Sequence, residues 1–333
     1  MALFLSEADV YAVLTMSIAI EAVESCFRRL AEGTALTQPR RRLHYAQRSF
    51  LHYMAGCDLA AGHVGMKIYT TSPNGPKFLV PLYRVETGEL AAMIEADFLG
   101  QMRTGAASGV ATRAMARKDS RTLAIIGTGL QARTQLEAVA LAGRFETIRA
   151  FGRDKTRREK FASEMSERLK ATVTPVDSAE KAVRDADVLI TMTNSVNPVV
   201  DGKWLKPGMH INAAGSNFAQ KAELDAKAVL WCDVIAVDCL EQAKMEAGDL
   251  IQAFDGDESR WNDVREISQI VAGKTPGRKD DREITLFKSV GITAEDIATA
   301  ARVLELAREQ GLGREIRMWQ GEKGSAPLRA DSF

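Results

Sequence analysis

The sequence predicts an α/β protein: a mainly parallel sheet, joined to a leading module of mixed helix and strand. Three observations carry this. From about Thr122, short apolar runs alternate with helical stretches: TLAIIG, TIRAFG, ATVTPV, DVLITMT, MHINAAG and VIAVD read as strands, KTRREKFASEMSERLK as a helix. Strands that alternate with helices pair in parallel and are covered on both faces. The first of these strands runs into the glycine turn GTGLQA, which opens a helix. The segment ahead of that turn is more than a hundred residues long and has a different grammar.

In the leading segment, Ser6 and Asp9 have the spacing of a capping box before a short helix, and a second helix, about Ile18 to Ala31, ends at Gly33. From Arg42 to Tyr83 the runs RSFLHYMAG, VGMKIYT and FLVPLYRV are strand-like, with PNGPK and ETGE as turns. LGQMRTGAASGVATRAMA then reads as a helix of small residues against which something packs closely. Near the end, Thr293 and Asp296 resemble another capping box before a helix through Glu309, and REIRMW is a further candidate strand. There is no internal repeat or low-complexity stretch.

With 333 residues, the chain is long enough for two well-filled cores. Hydrophobic residues at 46% and charged residues at 26% are ordinary for a globular protein, and 44 basic residues balance 44 acidic ones. No global field therefore draws the chain to nucleic acid or to an anionic membrane, and an acidic ligand must find a local cluster of cations. Cys26, Cys57, Cys232 and Cys239 form no CxxC pair and read as small buried hydrophobes in a reducing compartment. His44, His52, His63 and His210 have no metal-ligand spacing, so no metal is expected. The first residues lack a basic run, carry Glu7 and Asp9, and do not look like a secretory signal, and no apolar run approaches a membrane span. The expectation is a cytoplasmic protein.

GTGLQA fits G-x-G-x-x-A: Gly127 for the tight turn, Gly129 for close approach of a pyrophosphate, Ala132 for helix–strand packing. A pyrophosphate there meets the free N–H groups of a helix start. Thr128 and Gln131 belong to the same turn. At the end of the next strand, where an NAD site would carry Asp or Glu, the chain reads Gly152 and Arg153, with Lys155 and Arg157 close by. A cation at that position suits the 2′-phosphate of NADP, although Asp154 leaves NAD open. The cofactor read from these residues is NAD(P)H, with NADP favoured.

Three cations precede this turn: Arg41 in QPRRRL, Lys67 in GMKIYT and Arg103 in QMRTGAASG. Lys67 is flanked by Met66, Ile68 and Tyr69, so it either snorkels or faces a polar cavity. Converging near a nicotinamide, the three would make a carboxylate clamp, with arginine supplying two-pronged geometry.

QPRRRL, MKIYT, MRTGAASGVATRAMA, IIGTGLQARTQLEAV, INAAGSN…ELD, MEAGDL and TLFKSVG, in this order and spacing, resemble the ornithine cyclodeaminase/mu-crystallin family over nearly the whole chain. The resemblance implies a Rossmann-type domain, about residues 118–299, inserted into an α+β substrate-binding and dimerisation domain of 1–117 plus 300–333. It also implies a homodimer. The clamp falls on Arg41 (Arg40 and Arg42 being one-residue slips), Lys67 and Arg103. The cofactor positions fall on Gly127, Gly129, Gln131 and Thr193, on Ala214, Asn217 and Lys221 of the loop after MHINA, and on Ser289 of FKSxG. His52 and Tyr53 fall near substrate. Glu246 and Asp249 of MEAGDL match a family motif, which a helix end with its glycine explains equally well.

One departure bears on activity. The cyclodeaminases resembled here carry GGD with a lysine four residues later, whereas this chain has Gly215, Ser216, Asn217 and then Lys221. Asn217 takes no proton, and the loss of such an acid/base group removes roughly 10²–10⁴ in rate. The expected activity is therefore NAD(P)H-dependent reduction of a carboxylate-bearing imine. The substrate would be a cyclic ketimine such as pyrroline-2-carboxylate, or the imine of a 2-oxo acid; run backwards, this is an amino-acid dehydrogenase. The alternatives are an ornithine or lysine cyclodeaminase with internally recycled NAD, and a non-catalytic NADPH or small-ligand binder of the mu-crystallin type.

Overall fold

The computed structural model describes residues 1–73 and 75–318. Asn74 of the PNGPK turn and the stretch after 318 lie outside them.

Strands β1 (Ala2–Leu5), β2 (Ala35–Thr37), β3 (Arg41–Ala46), β4 (Ser49–Asp58), β5 (His63–Thr71), β6 (Lys77–Arg84) and β7 (Leu90–Glu95) form the leading sheet. The dinucleotide-type sheet contains β8 (Thr122–Ile126), β9 (Thr147–Phe151), β10 (Val173–Pro175), β11 (Val188–Thr191), β12 (His210–Ala213), β13 (Val234–Val237), β14 (Arg265–Glu266) and β15 (Thr285–Lys288). Strand β16 (Arg314–Ile316) returns to the first sheet, antiparallel to β1. The helices are α1 (Glu7–Val13), α2 (Met16–Glu32), α3 (Asp97–Met115), α4 (Leu130–Ala140), α5 (Lys155–Leu169) and α6 (Ala179–Val183). They continue with α7 (Ala226–Leu230), α8 (Leu240–Glu246), α9 (Gly248–Phe254), α10 (Ile267–Val271) and α11 (Thr293–Glu309).

The first sheet runs β16-β1-β7-β6-β5-β4-β2, and β3 lies beside β2 on the same edge of β4. Its inner face packs on α2, α3 and α11 in one apolar core that includes Phe27, Val80, Ile94, Ile292 and Ile297. The capping box of α1 forms, with Ser6 and Asp9 exchanging hydrogen bonds, and α2 ends on left-handed Gly33. The second sheet runs β10-β9-β8-β11-β12-β15-β13-β14, every pair parallel. Its first five positions have the doubly wound order in which the strand sequence reverses beside β8, where such sheets open a crevice for ligand.

The small residues of α3 have a packing reason. A Cβ on Gly105 would lie 2.4 Å from the Thr134 carbonyl oxygen, and one on Gly109 would lie 2.9 Å from that of Ala138. Helices α3 and α4 thus meet backbone to backbone, fixing the leading module against the glycine-turn helix. Helix α11 packs as one unit on the first sheet, against β4, β5 and β6. The second capping box does not form: Thr293 is already helical, Ile292 is the N-cap, and no side chain caps this helix. Among the described residues no single helix is long and apolar enough to cross a membrane.

Candidate active site

The glycine turn has the shape that an anion cradle requires. Gly127 sits at φ +118°, where L side chains are strained, and a Cβ there would lie 2.0 Å from the Met192 carbonyl oxygen. Gly129 is the N-cap of α4, and a Cβ on it would meet nothing within 4 Å. Open space therefore lies over the free N–H groups of the first helical turn. Thr128 fills the place beside Gly152, where a Cβ would come within 2.5 Å of its hydroxyl. These residues fit a dinucleotide. Arg153 is exposed at the end of β9. Asp154 caps α5 by accepting the Arg157 N–H at 2.8 Å.

At the carboxyl ends of β8, β11, β12 and β15, a cavity of about 520 Å³ opens between the two sheets. From the second sheet it is lined by Gln131, Met192, Ala214, Asn217, Phe218 and Ser289, and from the first by Arg40, Lys67, Arg103, His52 and Tyr69 among others. Lys67 and Arg103, expected as clamp residues, both reach it. Arg41 does not: it is exposed on β3. The inward arginine is Arg40, only 4% exposed, because it sits just before β3 where the chain still runs under the sheet edge. Of the other cofactor positions, Thr193 follows β11 and its N–H is bound by Glu223. Lys221 lies outside the lining, its ammonium 5.2 Å from the Phe218 ring centre.

Each of the three cations is held by a carboxylate. Asp296 Oδ1 accepts from Lys67 Nζ at 2.8 Å and from Arg103 Nε at 2.9 Å; Glu295 accepts from Arg103 Nη1 at 2.8 Å. Glu246 accepts from Arg40 Nη1 at 2.5 Å and pairs with Arg42, whose Nη2 also donates to the Asn217 carbonyl. Gly291 of TLFKSVG is wedged among them. Its carbonyl accepts from Arg40 at 3.0 Å, and a Cβ on it would lie 2.6 Å from Arg103 Nη1. Asp238, at the end of β13, holds that loop by accepting from Ser289 Oγ and from the Val290 and Gly291 N–H groups.

Burial pulls the Lys67 ammonium down to about 8, against the pull of Asp296 in the other direction. It also works against the charge on Arg103, but Asp296 and Glu295 outweigh it and hold this guanidinium more firmly protonated than usual. Glu295 is pushed up to about 8 by burial, only partly offset by Arg103. His52 is lowered to about 4 by burial and the nearby arginines, so it is neutral at pH 7. The site thus holds two fixed guanidinium groups and one ammonium poised to exchange a proton near neutrality.

Sequence reasoning did not single out Arg40 over its neighbours, and it missed Asp238, Glu295 and Asp296. MEAGDL carries Glu246 in the pattern of a helix end; α8 does end there, but the carboxylate pairs with two arginines. TAED has the sequence pattern of a cap, yet its acidic pair bonds Lys67 and Arg103.

Fold and site together define a dinucleotide-type α/β domain facing a cation-lined cavity built by a second module. The model of the ornithine cyclodeaminase/mu-crystallin family matches residues 1–311, and the chain belongs to that family. It is 34% identical over 327 residues to an alanine dehydrogenase of Archaeoglobus fulgidus, covering 96% of this chain and 99% of that one. It is 36% identical over 261 residues to a Delta(1)-pyrroline-2-carboxylate reductase of Bacillus cereus, covering 76% and 80%. The solved Delta(1)-pyrroline-2-carboxylate reductase of Thermococcus litoralis, in complex with NADH and L-proline, is similar with a TM-score of 0.90 at 36% identity, over 94% of this chain and 100% of that one.

Proposed function

We propose that the protein is an NAD(P)H-dependent reductase of carboxylate-bearing imines, and in reverse an amino-acid dehydrogenase. The observation that carries this reading is the convergence of Arg40, Lys67 and Arg103 on the cavity that Gln131, Ala214 and Ser289 line from the dinucleotide side. The bound cofactor supplies the hydride. Arg40 and Arg103 hold the substrate carboxylate, and Lys67 keeps or hands over the proton that makes the imine nitrogen cationic and its carbon electrophilic. Alanine dehydrogenase and pyrroline-2-carboxylate reductase relatives, and a similar structure holding NADH with L-proline, support this chemistry.

The cyclodeaminase alternative lacks a carboxylate at Asn217, and Lys221 is turned onto Phe218. NADP(H) is favoured over NAD(H), because Asp154 is used as a helix cap while Arg153 is exposed just past the end of β9. A homodimer is favoured because the outer face of the first sheet exposes Leu36, Leu43, Tyr53, Val64 and Leu79; the mass in solution tests it. Consumption of NAD(P)H with cyclic imines, and with 2-oxo acids plus ammonia or methylamine, tests the reaction. No turnover with any of them removes the reading.

A further inference from the structure

The inner face of the first sheet is laid out in rows. Across β4, β5 and β6 the register sets Met54 beside Lys67, His52 beside Tyr69 and Tyr69 beside Phe78, and Phe50 beside Thr71. Residues two apart share a face, so Lys67, Tyr69 and Thr71 lead away from the clamp in steps of roughly 7 Å. At the other end, α11 covers the face closely: a Cβ on Gly65 would lie 2.9 Å from the Ile297 side chain. Past Lys67 the face becomes the cavity wall.

That wall is aromatic. Phe50 and His52 are 5.8 Å apart, His52 and Tyr69 4.2 Å, and Tyr69 and Phe78 4.9 Å between ring centres. The His52 and Tyr69 rings are parallel within 2° across two neighbouring strands. Rings stacked along that direction stand upright on the sheet and turn their edges toward the cavity. Ring edges are electropositive and attract the face of another aromatic ring. Phe218 and Met192 line the same space from the dinucleotide side. Among the described lining residues the sole carboxylate is Asp97, which accepts a hydrogen bond from Gln101. A side-chain ammonium would find no buried counter-charge here, and Arg48, also in the lining, would repel it.

We propose that the substrate is an imine with a flat aromatic side chain, a 2-imino-3-arylpropanoate formed from an arylpyruvate and ammonia or a primary amine with release of water. This rests on the reductase reading above. With the carboxylate on Arg40, Lys67 and Arg103, a ring one methylene from the imine carbon reaches the His52–Tyr69 row and is closed over by Phe218. The imine carbon receives the hydride from NAD(P)H, the nitrogen carries the proton, and the products are the aryl amino acid and NAD(P)⁺. A methyl side chain would leave this apolar slot unfilled and forgo its burial.

The test is the rate of NAD(P)H consumption with methylamine and phenylpyruvate, pyruvate or oxaloacetate, and with pyrroline-2-carboxylate alone. The expected kcat/KM for phenylpyruvate is at least tenfold above that for pyruvate, and Phe50→Ala or Tyr69→Ala brings the ratio close to one while Tyr69→Phe keeps it. As a check without variants, L-phenylalanine should raise the Tm of the NAD(P)⁺-loaded protein more than L-alanine does. Faster turnover of pyruvate, oxaloacetate or the cyclic imine, or the reverse order of Tm shifts, overturns the aromatic assignment and leaves the reductase standing. No turnover with any substrate overturns both.

Discussion

Lys67 Nζ lies 2.8 Å from Asp296 Oδ1, and neither side chain reaches solvent to any useful extent. An ammonium in this position is torn between burial, which disfavours its charge, and the carboxylate, which favours it; the outcome is an acid near 8. With Lys67 as the proposed proton donor of the reductive direction, kcat/KM should be level below about 8 and fall as pH rises through it. In the oxidative direction the neutral amine is needed, and the rate should rise over the same interval. Asp296→Asn removes the group that raises the lysine, so the alkaline limb should move to lower pH. Glu295 titrates in the same window, and Lys67→Arg, which keeps a charge but cannot titrate there, separates the two by abolishing the limb. A limb that stays in place in both variants would rule out Lys67 as its source.

Arg40 and Arg41 are neighbours with opposite fates. Arg40→Ala should lower kcat/KM by about 10²–10³, since it removes a group proposed to hold the substrate carboxylate and leaves Glu246 with only the Gln242 amide and the partly exposed Arg42. Arg40→Lys should recover little, because a point charge does not reproduce the guanidinium's hydrogen bonds to Glu246, Val290 and Gly291 together. Arg41→Ala should behave like the parent protein. Steady-state kinetics on the three variants decides it, and equal losses at 40 and 41 would count against the assignment.

How much of this was legible in the sequence follows from which interactions are local. The strands around the glycine turn could be read because each is a short apolar run closed by its own turn. Strand β15 could not: TLFK carries a lysine, and its place between β12 and β13 is set by long-range pairing alone. Lys288 is tolerated there because Asp249 and the Ser216 carbonyl receive it. Strand β7, LAAMIE, has the composition of a helix and becomes a strand because β1 and β6 flank it. Lys67 and Arg103, which both line the cavity, stand out in the sequence because a lone cation in an apolar strand or beside a small-residue face is conspicuous. In QPRRRL three arginines compete, and only the path of the backbone decides which one turns inward. Glu295 and Asp296 were hidden because an acidic pair in a first helical turn already has a local explanation.

Gly127 and Gly129 fail in different ways when given a methyl group. Gly127→Ala must place a Cβ 2.0 Å from the Met192 carbonyl at a φ of +118°, so both Tm and NADH affinity should fall. At Gly129 a Cβ meets nothing within 4 Å, so Gly129→Ala should melt close to the parent protein. Its NADH affinity should nonetheless drop by tenfold or more, because the methyl group occupies the pyrophosphate's line of approach. Thermal melts alongside NADH fluorescence titrations separate the two. A Gly129→Ala variant with unchanged affinity would place the cofactor elsewhere.

Cofactor choice is expected to turn on Arg153. With Asp154 engaged as the cap of α5, Arg153→Ala should lower the NADPH-to-NADH ratio of kcat/KM by about tenfold, in line with the loss of one charge-assisted contact. The NADH value should change little. A ratio insensitive to this change would move the 2′-phosphate contact to Lys155 or Arg157.

Lys288 offers the sharpest test of how the dinucleotide side of the cavity is held in place. Its ammonium is fully buried, 2.9 Å from Asp249 and 2.7 Å from the Ser216 carbonyl. Asp249 also accepts the Glu223 and Leu224 N–H groups, and the Glu223 carboxylate accepts from Thr191, Thr193 and Gly215. One lysine thus ties together the loops after β11 and β12, which contribute Met192, Ala214 and Asn217 to the cavity. Lys288→Met keeps the bulk and leaves Asp249 as an unpaired buried charge, which costs about 3–5 kcal/mol. Adding Asp249→Asn removes that charge while its amide oxygen still accepts the two N–H groups, so the double variant should recover a good part of the loss. Its NADH affinity should stay low, because the Ser216 carbonyl has still lost its anchor. Denaturant unfolding and NADH titration of both variants measure the two effects separately; a Lys288→Met protein within 1 kcal/mol of the parent would mean that the loops are held by something other than this ion pair.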